Sequence, residues 1–216
     1  MAKYPAPGRV KTRLAAALGE ATACELYRAF VLDLADRLDA LSQPVTWAYW
    51  PPDAPFAALL PGARCQPQRG EDLGERMAAA VARTLADGAD AAIVIGADVP
   101  HVAAEAIGEA ADALAADADL VLGPARDGGY YLLGVRTVVP ALFAGIAWGT
   151  STVLATTRAR ADAARLRTHL LAPGFDVDDA ADLPPLRALL AAGTVRLPRT
   201  AGLLDATDRG SPRRSS

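Results

Sequence analysis

Two kinds of hydrophobic pattern alternate along the chain. Between positions 26 and 38 apolar residues recur every four positions, which is typical of one face of a helix and predicts a helix over residues 20–41. Short uninterrupted apolar runs stand between such patterns and are typical of buried parallel strands. In chain order, the pattern predicts strands at 45–50, 64–66, 91–95, 119–124 and 169–171, and further helices at 56–60, 73–86, 103–116, 153–164 and 180–192.

Strands that alternate with helices in this way predict an α/β fold, a three-layer αβα sandwich with a mainly parallel sheet. No internal repeat is visible, so one domain is expected over residues 1–198. Beyond this point the chain is polar and rich in Gly, Ser and Arg, which predicts a disordered tail over residues 199–216.

The amino-terminal sequence does not supply the first strand that a sheet of this kind is expected to have. A basic loop of the kind found here normally follows the first strand, yet only Met1 and Ala2 precede Lys3. We therefore expect a first strand that is missing or reduced to a stub, and a native chain that begins upstream. Loss of a central strand would leave unpaired backbone and a void in the sheet.

The composition narrows the classes of function. The 216 residues are 52% hydrophobic and carry a net charge of −3, which suits a globular domain and argues against a nucleic-acid-binding surface. No apolar run approaches about 18 residues, so neither a membrane span nor a signal peptide is predicted. Cys24 and Cys65 lack metal-ligand spacing, which predicts reduced thiols in a cytoplasmic protein. Two histidines are too few for a His-rich zinc site.

Both lysines of the chain lie near its start. Lys3 and Lys11 share the first thirteen residues with Arg9 and Arg13, and Gly8 allows a positive φ within this loop. A basic loop ahead of a helix can hold phosphate groups with backbone N–H groups and point charges. The spacing matches neither a Walker A loop nor a Rossmann fingerprint. A solvated basic amino terminus is the structural alternative.

Three aspartates are candidates for a metal site. Asp98 closely follows the apolar run 91–95, and the carboxyl ends of parallel strands form the rim where open α/β sheets bind ligands. Asp98 as a simple turn or helix cap is the alternative. Asp176 and Asp178 are two positions apart, so in extended backbone they point the same way and repel unless a cation or cap offsets them. Asp178 or Asp179 as a helix cap would explain one of these acids.

Other polar residues are expected at the same rim. Gln68 and Gly70 lie in a strand-to-helix loop, where Gln68 could contact a base edge or a phosphate. The turn at Asp127 and Gly128 joins two apolar segments and also predicts a β-hairpin. Trp148 precedes a predicted helix and could line an acceptor pocket.

Six segments together carry a family resemblance: residues 3–14, 68–77, 95–100, 123–131, 148–152 and 176–183. As a set they resemble the DUF2064 family of GT-A-like nucleotide-diphospho-sugar transferases, often named for a proposed arsenosugar-biosynthesis glycosyltransferase. The resemblance to phospholactate guanylyltransferases and molybdenum-cofactor nucleotidyltransferases is more distant. The relatives begin with an apolar strand ahead of the lysine, which this chain lacks.

The resemblance implies a nucleotide under the first loop and a divalent metal, Mg²⁺ or Mn²⁺, between the acids. The hypothesis gives Lys11 and Asp98 catalytic roles. The metal ligands would be Asp98, Asp176 and Asp178. The nucleotide would be bound by Lys3, Gly8, Arg9, Lys11, Arg13, Gln68 and Gly70. The acceptor would be bound by Asp127, Gly128, Tyr130 and Trp148.

Three functions follow from this hypothesis. The family's usual name favours a metal-dependent glycosyltransferase that uses a nucleotide-activated donor and a small-molecule acceptor. The strongly basic loop suits a triphosphate and favours a nucleotidyltransferase that releases pyrophosphate. A nucleotide-binding module without catalysis is the third, and the absent first strand supports it.

Overall fold

A computed structural model describes residues 1–210. The strands in this range are β1 Ala2–Lys3, β2 Trp47–Trp50, β3 Cys65–Pro67, β4 Ala92–Ile95, β5 Leu120–Pro124, β6 Tyr130–Val135 and β7 Thr168–Leu170. The α-helices are α1 Thr12–Leu18, α2 Glu20–Leu38, α3 Phe56–Leu59, α4 Leu73–Ala86, α5 Ala104–Ala116, α6 Val153–Ala163, α7 Leu183–Ala191 and α8 Pro198–Gly210. Two short 3₁₀ turns cover Pro140–Leu142 and Ala180–Asp182.

The strands form two sheets, one in the order β3-β2-β1 and the other in the order β4-β6-β5-β7, with β1 beside β4. β1, β2 and β3 are parallel, β6 is antiparallel to both β4 and β5, and β5 is parallel to β7. Met1 joins the two parts, because its N donates to Ile95 O at 2.6 Å and its O accepts from Ala97 N at 3.0 Å. The predicted α/β fold is confirmed, and so is the hairpin between β5 and β6.

Helices cover both faces of the sheet. The side chains of β5 show this, because Leu120 and Leu122 pack with α4 and α6, whereas Val121 packs with α2 and α5. A strand buried on both faces needs an uninterrupted apolar run, which is the pattern the sequence carries. None of the helices between residues 1 and 210 is long and apolar enough to cross a membrane.

The predicted disordered tail is wrong over residues 199–210, which belong to helix α8; residues 211–216 lie outside the described part of the chain. Asp33 of α2, which is 1% exposed, accepts hydrogen bonds from Arg199 N at 3.2 Å and Thr200 N at 2.8 Å at the start of α8. Leu204 is buried against the core. The polar composition hid this helix, because a partner 166 positions away in the sequence satisfies its first N–H groups.

The strand β1 is reduced to two residues, Ala2 and Lys3, as the sequence led us to expect. It pairs with Tyr49 and Trp50 of β2, and Tyr4 N continues the ladder by donating to Trp50 O at 2.7 Å. The basic loop therefore leaves the sheet between β2 and β4, at the carboxyl ends of these strands.

Asp33→Ala should lower the free energy of unfolding by about 2–3 kcal/mol, because it leaves the first N–H groups of α8 and the Arg199 guanidinium without their buried acceptor. Asp36→Ala is the matched control, since Asp36 pairs with the same guanidinium but is 62% exposed, and should cost less than about 1 kcal/mol. Urea unfolding followed by circular dichroism measures both. Equal losses for the two variants would contradict the capping role of Asp33.

Candidate active site

A cleft of about 530 Å³ opens where the basic loop leaves the sheet. Its lining brings together ten of the predicted site residues: Lys3, Lys11, Arg13, Gln68, Asp98, Asp127, Tyr130, Trp148, Asp176 and Asp178. Among the described residues, the lining does not include four predicted ones: Gly8, Arg9, Gly70 and Gly128.

Lys11 lies at the centre of the charged part of the cleft. Its side chain is only 6% exposed, and its Nζ donates to Asp178 Oδ1 at 2.7 Å and lies 3.9 Å from Asp98 Oδ2. Its backbone has φ 48° and ψ 46°, a left-handed conformation that residues other than glycine rarely adopt. This conformation lies directly before α1, and backbone strain of this kind is common at functional sites.

Tyr27 of α2 is a site residue that sequence reasoning missed. Its ring lies under the Lys11 ammonium, with Nζ 5.6 Å from the ring centroid, and its hydroxyl accepts a hydrogen bond from Lys3 N at 2.9 Å. One aromatic side chain thus connects the two lysines of the loop. The residue follows Leu26 in the apolar pattern of α2, where nothing distinguishes it from a core residue.

Asp98 is positioned by its neighbours in the loop after β4. Its carboxylate folds back over Gly96, where a Cβ atom would lie 2.1 Å from Asp98 Oδ1, so this conformation requires glycine. Asp98 O accepts a hydrogen bond from Val177 N at 3.0 Å. This bond joins the end of β4 to the segment that carries Asp176 and Asp178, so that the three predicted metal ligands line the same cleft.

The surroundings shift the pKa values of Asp176 and Asp178 in opposite directions. Burial, together with the carboxylates of Asp98, Asp127 and Asp178, raises the pKa of Asp176 to about 8. Burial also opposes ionisation of Asp178, but Lys11 and Arg13 hold the pKa of Asp178 below its usual range. Asp178 is therefore ionised in an ion pair, whereas Asp176 keeps its proton at neutral pH.

Asp179 caps the turn that follows it. The sequence left open whether Asp178 or Asp179 is the cap, and the structure decides for Asp179. Its side chain accepts from Ala181 N at 2.8 Å, and Asp182 Oδ2 accepts from Asp179 N at 2.9 Å. Asp182 Oδ2 also accepts from Asp178 N at 2.8 Å. The capping box leaves the Asp178 side chain free for Lys11 and Arg13.

The acids are of the chemical type that a hard divalent cation takes, because carboxylate oxygens are the ligands of Mg²⁺ and Mn²⁺. The raised pKa of Asp176 reflects burial first and the neighbouring carboxylates second, and a cation would offset the negative charge of those carboxylates. Across residues 1–210, no three His, Cys, Asp or Glu side chains stand close enough together to hold a metal ion. The Lys11 ammonium contacts Asp178 and approaches Asp98 in this arrangement.

In the loop before α4, both residues predicted to bind a nucleotide have a structural role. Gln68 is buried, and its Nε2 donates to Ala48 O at 2.9 Å and Ala2 O at 3.3 Å, which ties β1 to β2. Gly70 has φ +132°, and a Cβ atom there would lie 2.5 Å from Glu75 Cβ. The predicted nucleotide contacts of Gln68 and Gly70 stay predictions.

Arg76 and Trp50 form a second pair in the cleft that sequence reasoning missed. The Arg76 guanidinium lies 3.7 Å from the centroid of the Trp50 ring and donates to Gly70 O and Glu71 O, both at 3.0 Å. Arg76 therefore fastens the loop before α4 to the end of β2. A tertiary contact between two separate elements carries no local signal in the sequence.

The predicted acceptor side is built on the hairpin turn. Asp127 Oδ1 accepts from Gly129 N at 2.8 Å, and a Cβ atom at Gly128 would lie 2.2 Å from Ser151 O. Tyr130 and Trp148 meet edge to face with ring centroids 6.4 Å apart. The buried Nε1 of Trp148 has no hydrogen-bond partner within the described residues. Asp127, Tyr130 and Trp148 form a polar and aromatic part of the cleft lining.

Residues 34–150 match the family model described as "Uncharacterized protein conserved in bacteria (DUF2064)". The chain belongs to the DUF2064 family. The predicted family resemblance is thereby confirmed. A comparison with curated proteins found no match.

Solved structures agree with this membership. One is a protein from Desulfovibrio desulfuricans G20 with the provisional name nucleotide-diphospho-sugar transferase; it is 38% identical, with 96% of this chain and 92% of that chain covered, and a TM-score of 0.89. A 4-diphosphocytidyl-2C-methyl-D-erythritol synthase is 16% identical, with 88% and 96% covered and a TM-score of 0.54. A CMP:2-keto-3-deoxy-manno-octonic acid synthetase, solved with CTP, is 15% identical, with 76% and 88% covered and a TM-score of 0.51. The last two show a shared fold, and the set agrees with the predicted transferase class.

Gly70→Ala should lower the free energy of unfolding by about 2–4 kcal/mol, because its Cβ would collide with Glu75 Cβ and with the backbone of α4. Gly62→Ala is the control, since Gly62 also has a positive φ (+85°) but faces open space, and should cost about 1 kcal/mol. Chemical denaturation measures both changes. Similar losses would show that backbone strain alone, rather than contact with α4, requires glycine at position 70.

Asp176→Asn should stabilise the metal-free protein at pH 8 by about 1 kcal/mol or more and change its stability little at pH 4. The pKa of Asp176 is raised to about 8, so the stability that its protonated form contributes is lost as the pH rises toward that value. Thermal melts in a chelating buffer at both pH values measure this. Asp117→Asn, at a side chain that is 75% exposed, is the control; an identical pH dependence for Asp176→Asn and the wild type would contradict the prediction.

Proposed function

We propose that this protein is a metal-dependent transferase that uses a nucleotide-activated sugar as donor and a small molecule as acceptor. One observation carries the proposal: a buried lysine and three aspartates from distant parts of the chain meet in one cleft at the carboxyl ends of β1 and β4. Parallel α/β sheets bind ligands at this edge. The provisional name of the relative from Desulfovibrio desulfuricans supports the same class of donor.

The cations of the first loop are the proposed phosphate ligands. Lys11 and Arg13 both contact Asp178, and Lys3 lines the same cleft, so three positive side chains surround one opening. Arg13 is 64% exposed and can turn toward a ligand, whereas the buried Lys11 is held in place. These cations would offset the negative charge that grows on a departing diphosphate.

Asp98, Asp176 and Asp178 are the proposed ligands of Mg²⁺ or Mn²⁺. The bound cation would neutralise donor phosphates and act as a Lewis acid at their oxygens. Binding would favour release of the proton that Asp176 keeps at neutral pH, because a cation stabilises the ionised carboxylate. Gln68 and Gly70 would contact the base or ribose.

The acceptor would bind between the hairpin turn and Trp148. Asp127 presents a carboxylate in the cleft, next to the Tyr130 and Trp148 rings. Aromatic rings beside a carboxylate suit a small polar molecule with an apolar face. The reaction would depend mostly on positioning of donor and acceptor and on charge stabilisation.

Nucleotidyl transfer is the second candidate. The same cluster of Lys3, Lys11 and Arg13 suits a triphosphate, from which the enzyme would release pyrophosphate. The two reactions differ in the product that carries the phosphates, which makes them separable by one assay.

The test incubates the protein and Mn²⁺ with nucleotide sugars and with nucleoside triphosphates, alongside a panel of small acceptors. Isothermal titration calorimetry reports donor binding, and ³¹P NMR identifies the phosphate product. Release of a nucleoside diphosphate supports glycosyl transfer, and release of pyrophosphate supports nucleotidyl transfer. Metal-dependent nucleotide binding without either product across the acceptor panel would favour a binding module and contradict the proposal.

Asp98→Asn should weaken Mn²⁺-dependent nucleotide binding at least about tenfold and lower any transferase rate by about 10²–10³, because it removes a negative ligand beside Lys11. Asp117→Asn, at an exposed side chain outside the cleft, should leave binding unchanged. Calorimetry in the presence and absence of Mn²⁺ measures the affinities, and a thermal melt checks folding. An unchanged affinity in a folded Asp98→Asn protein would remove Asp98 from the site.

A further inference from the structure

The cleft that holds the charged residues also has an apolar end. Its lining there consists of Met77 of α4, Val94 of β4, Leu133 of β6 and Val153 of α6. Val94 and Leu133 are paired across β4 and β6, and both pack with Met77 in one hydrophobic cluster. We call the space that these four side chains border the apolar recess. The proposed metal and phosphate contacts involve none of the four residues.

Two aromatic side chains, Tyr130 and Trp148, add carbon surface to the same part of the lining. Their polar atoms do not contribute to it, because Tyr130 Oη and Trp148 Nε1 are both buried and lack a hydrogen-bond partner within residues 1–210. Trp148 Nε1 lies against α4, since a Cβ atom at Gly74 would be 2.7 Å from it. A ligand in the cleft therefore meets ring carbons of both residues rather than their hydrogen-bonding atoms.

Contacts on two sides hold the Trp148 indole in place. Gly74 leaves room for the indole on the first turn of α4, where a Cβ atom would also lie 2.2 Å from Phe143 O. The Tyr130 ring meets the indole edge to face, with ring centroids 6.4 Å apart. A wall that is already fixed loses little conformational entropy when a ligand binds, so the recess is preorganised.

Leu73, the first residue of α4, extends the apolar lining to the mouth of the cleft, where it is 44% exposed. Leu170 of β7 is exposed to a similar degree, 40%, but lies outside the cleft. Single exposed apolar residues are normal on a protein surface. An exposed leucine that continues a concave apolar lining is also placed to contact a ligand.

Asp127 adds a carboxylate to the lining of the same cleft. Its Oδ1 accepts from Gly129 N at 2.8 Å, and the residue is exposed, so carboxylate lone pairs remain for a hydroxyl donor. Thr150, which also lines the cleft, already donates to Ala147 O at 2.8 Å. Carbon walls combined with a carboxylate match a ligand that carries a hydroxyl group on an otherwise apolar body.

The nucleobase of the donor fits the apolar recess poorly. Base edges carry several hydrogen-bond donors and acceptors, and burying them against carbon costs free energy. The phosphates of the donor are proposed to bind Lys11 and Arg13, at the charged end of the cleft. The recess therefore suits the acceptor better than the donor.

We infer that the acceptor is an aliphatic alcohol, with its apolar tail in the recess and its hydroxyl group hydrogen-bonded to Asp127. The inference rests on the proposed transferase function, which assigns the charged end of the cleft to the donor. Each methylene group of the tail that enters the recess should strengthen binding about three- to fourfold. A polyol of the same length would not gain this affinity, because its additional hydroxyl groups would lose water without finding partners.

The test titrates the ¹⁵N-labelled full chain with ethanol, n-butanol and n-hexanol, and with glycerol as the polar control. NMR follows the indole N–H signal of Trp148, which is assigned by its loss in Trp148→Phe. The signal of Trp47, on β2 and outside the cleft, reports binding elsewhere. The titrations are repeated with Mn²⁺ and ADP, CDP, GDP or UDP, whose own binding is measured by calorimetry.

At the Trp148 signal, n-butanol should bind about tenfold more tightly than ethanol, n-hexanol more tightly again, and glycerol no better than ethanol. Leu73→Asn and Val153→Thr should each weaken n-hexanol binding at least about threefold and ethanol binding less than about twofold, because each places a polar atom on the apolar lining. Leu170→Asn is the matched control and should leave all affinities unchanged, since Leu170 is similarly exposed but outside the cleft. Thermal melts check the folding of each variant.

Equal affinities for the three alcohols, or equal effects of Leu73→Asn and Leu170→Asn, would overturn the inference. Displacement of n-hexanol by a nucleotide would also overturn it, because the recess would then hold the donor. If the alcohols show the expected order but no nucleotide binds, the proposed function fails, and the assignment of the recess to an acceptor fails with it. If a nucleotide binds and the alcohols show no order, the proposed function stands and the inference alone fails.

Discussion

The ion pair between Lys11 and Asp178 is the interaction on which the cleft depends. It places a positive charge beside Asp98 and among carboxylates that would otherwise repel one another. Burial and the neighbouring carboxylates raise the pKa of Asp176, and the left-handed backbone of Lys11 lies in the same part of the cleft. A site that concentrates charge in this way is unfavourable for folding by itself, and such arrangements are typical of places where a ligand completes the charge balance.

The order of the strands explains why Lys11 and the three aspartates line the same cleft. β1 and β4 are neighbours, so the loop that follows β1 and the aspartate that follows β4 leave the sheet at the same edge. The bond from Val177 N to Asp98 O then adds the late pair of acids to this edge. The family membership and the fold of the relatives agree with the transferase class.

The short β1 leads directly into the charged loop, and helices on both faces of the sheet support the cleft that this loop borders. The site is supported from α2 by Tyr27 and from α4 by Arg76, so stability and ligand binding are expected to be coupled through this region.

The sequence by itself determined the alternation of strands and helices, the family, and the candidate charges Lys11, Asp98, Asp176 and Asp178, because apolar periodicity and residue chemistry are local properties. Tertiary structure alone decided which of these charges pair, and it gave Gln68 and Gly70 structural roles that their polarity and flexibility did not reveal. It also formed α8, whose first N–H groups are capped by Asp33 from a helix distant in the chain. Contacts between residues far apart in sequence leave no periodic signal, so only the folded chain shows them.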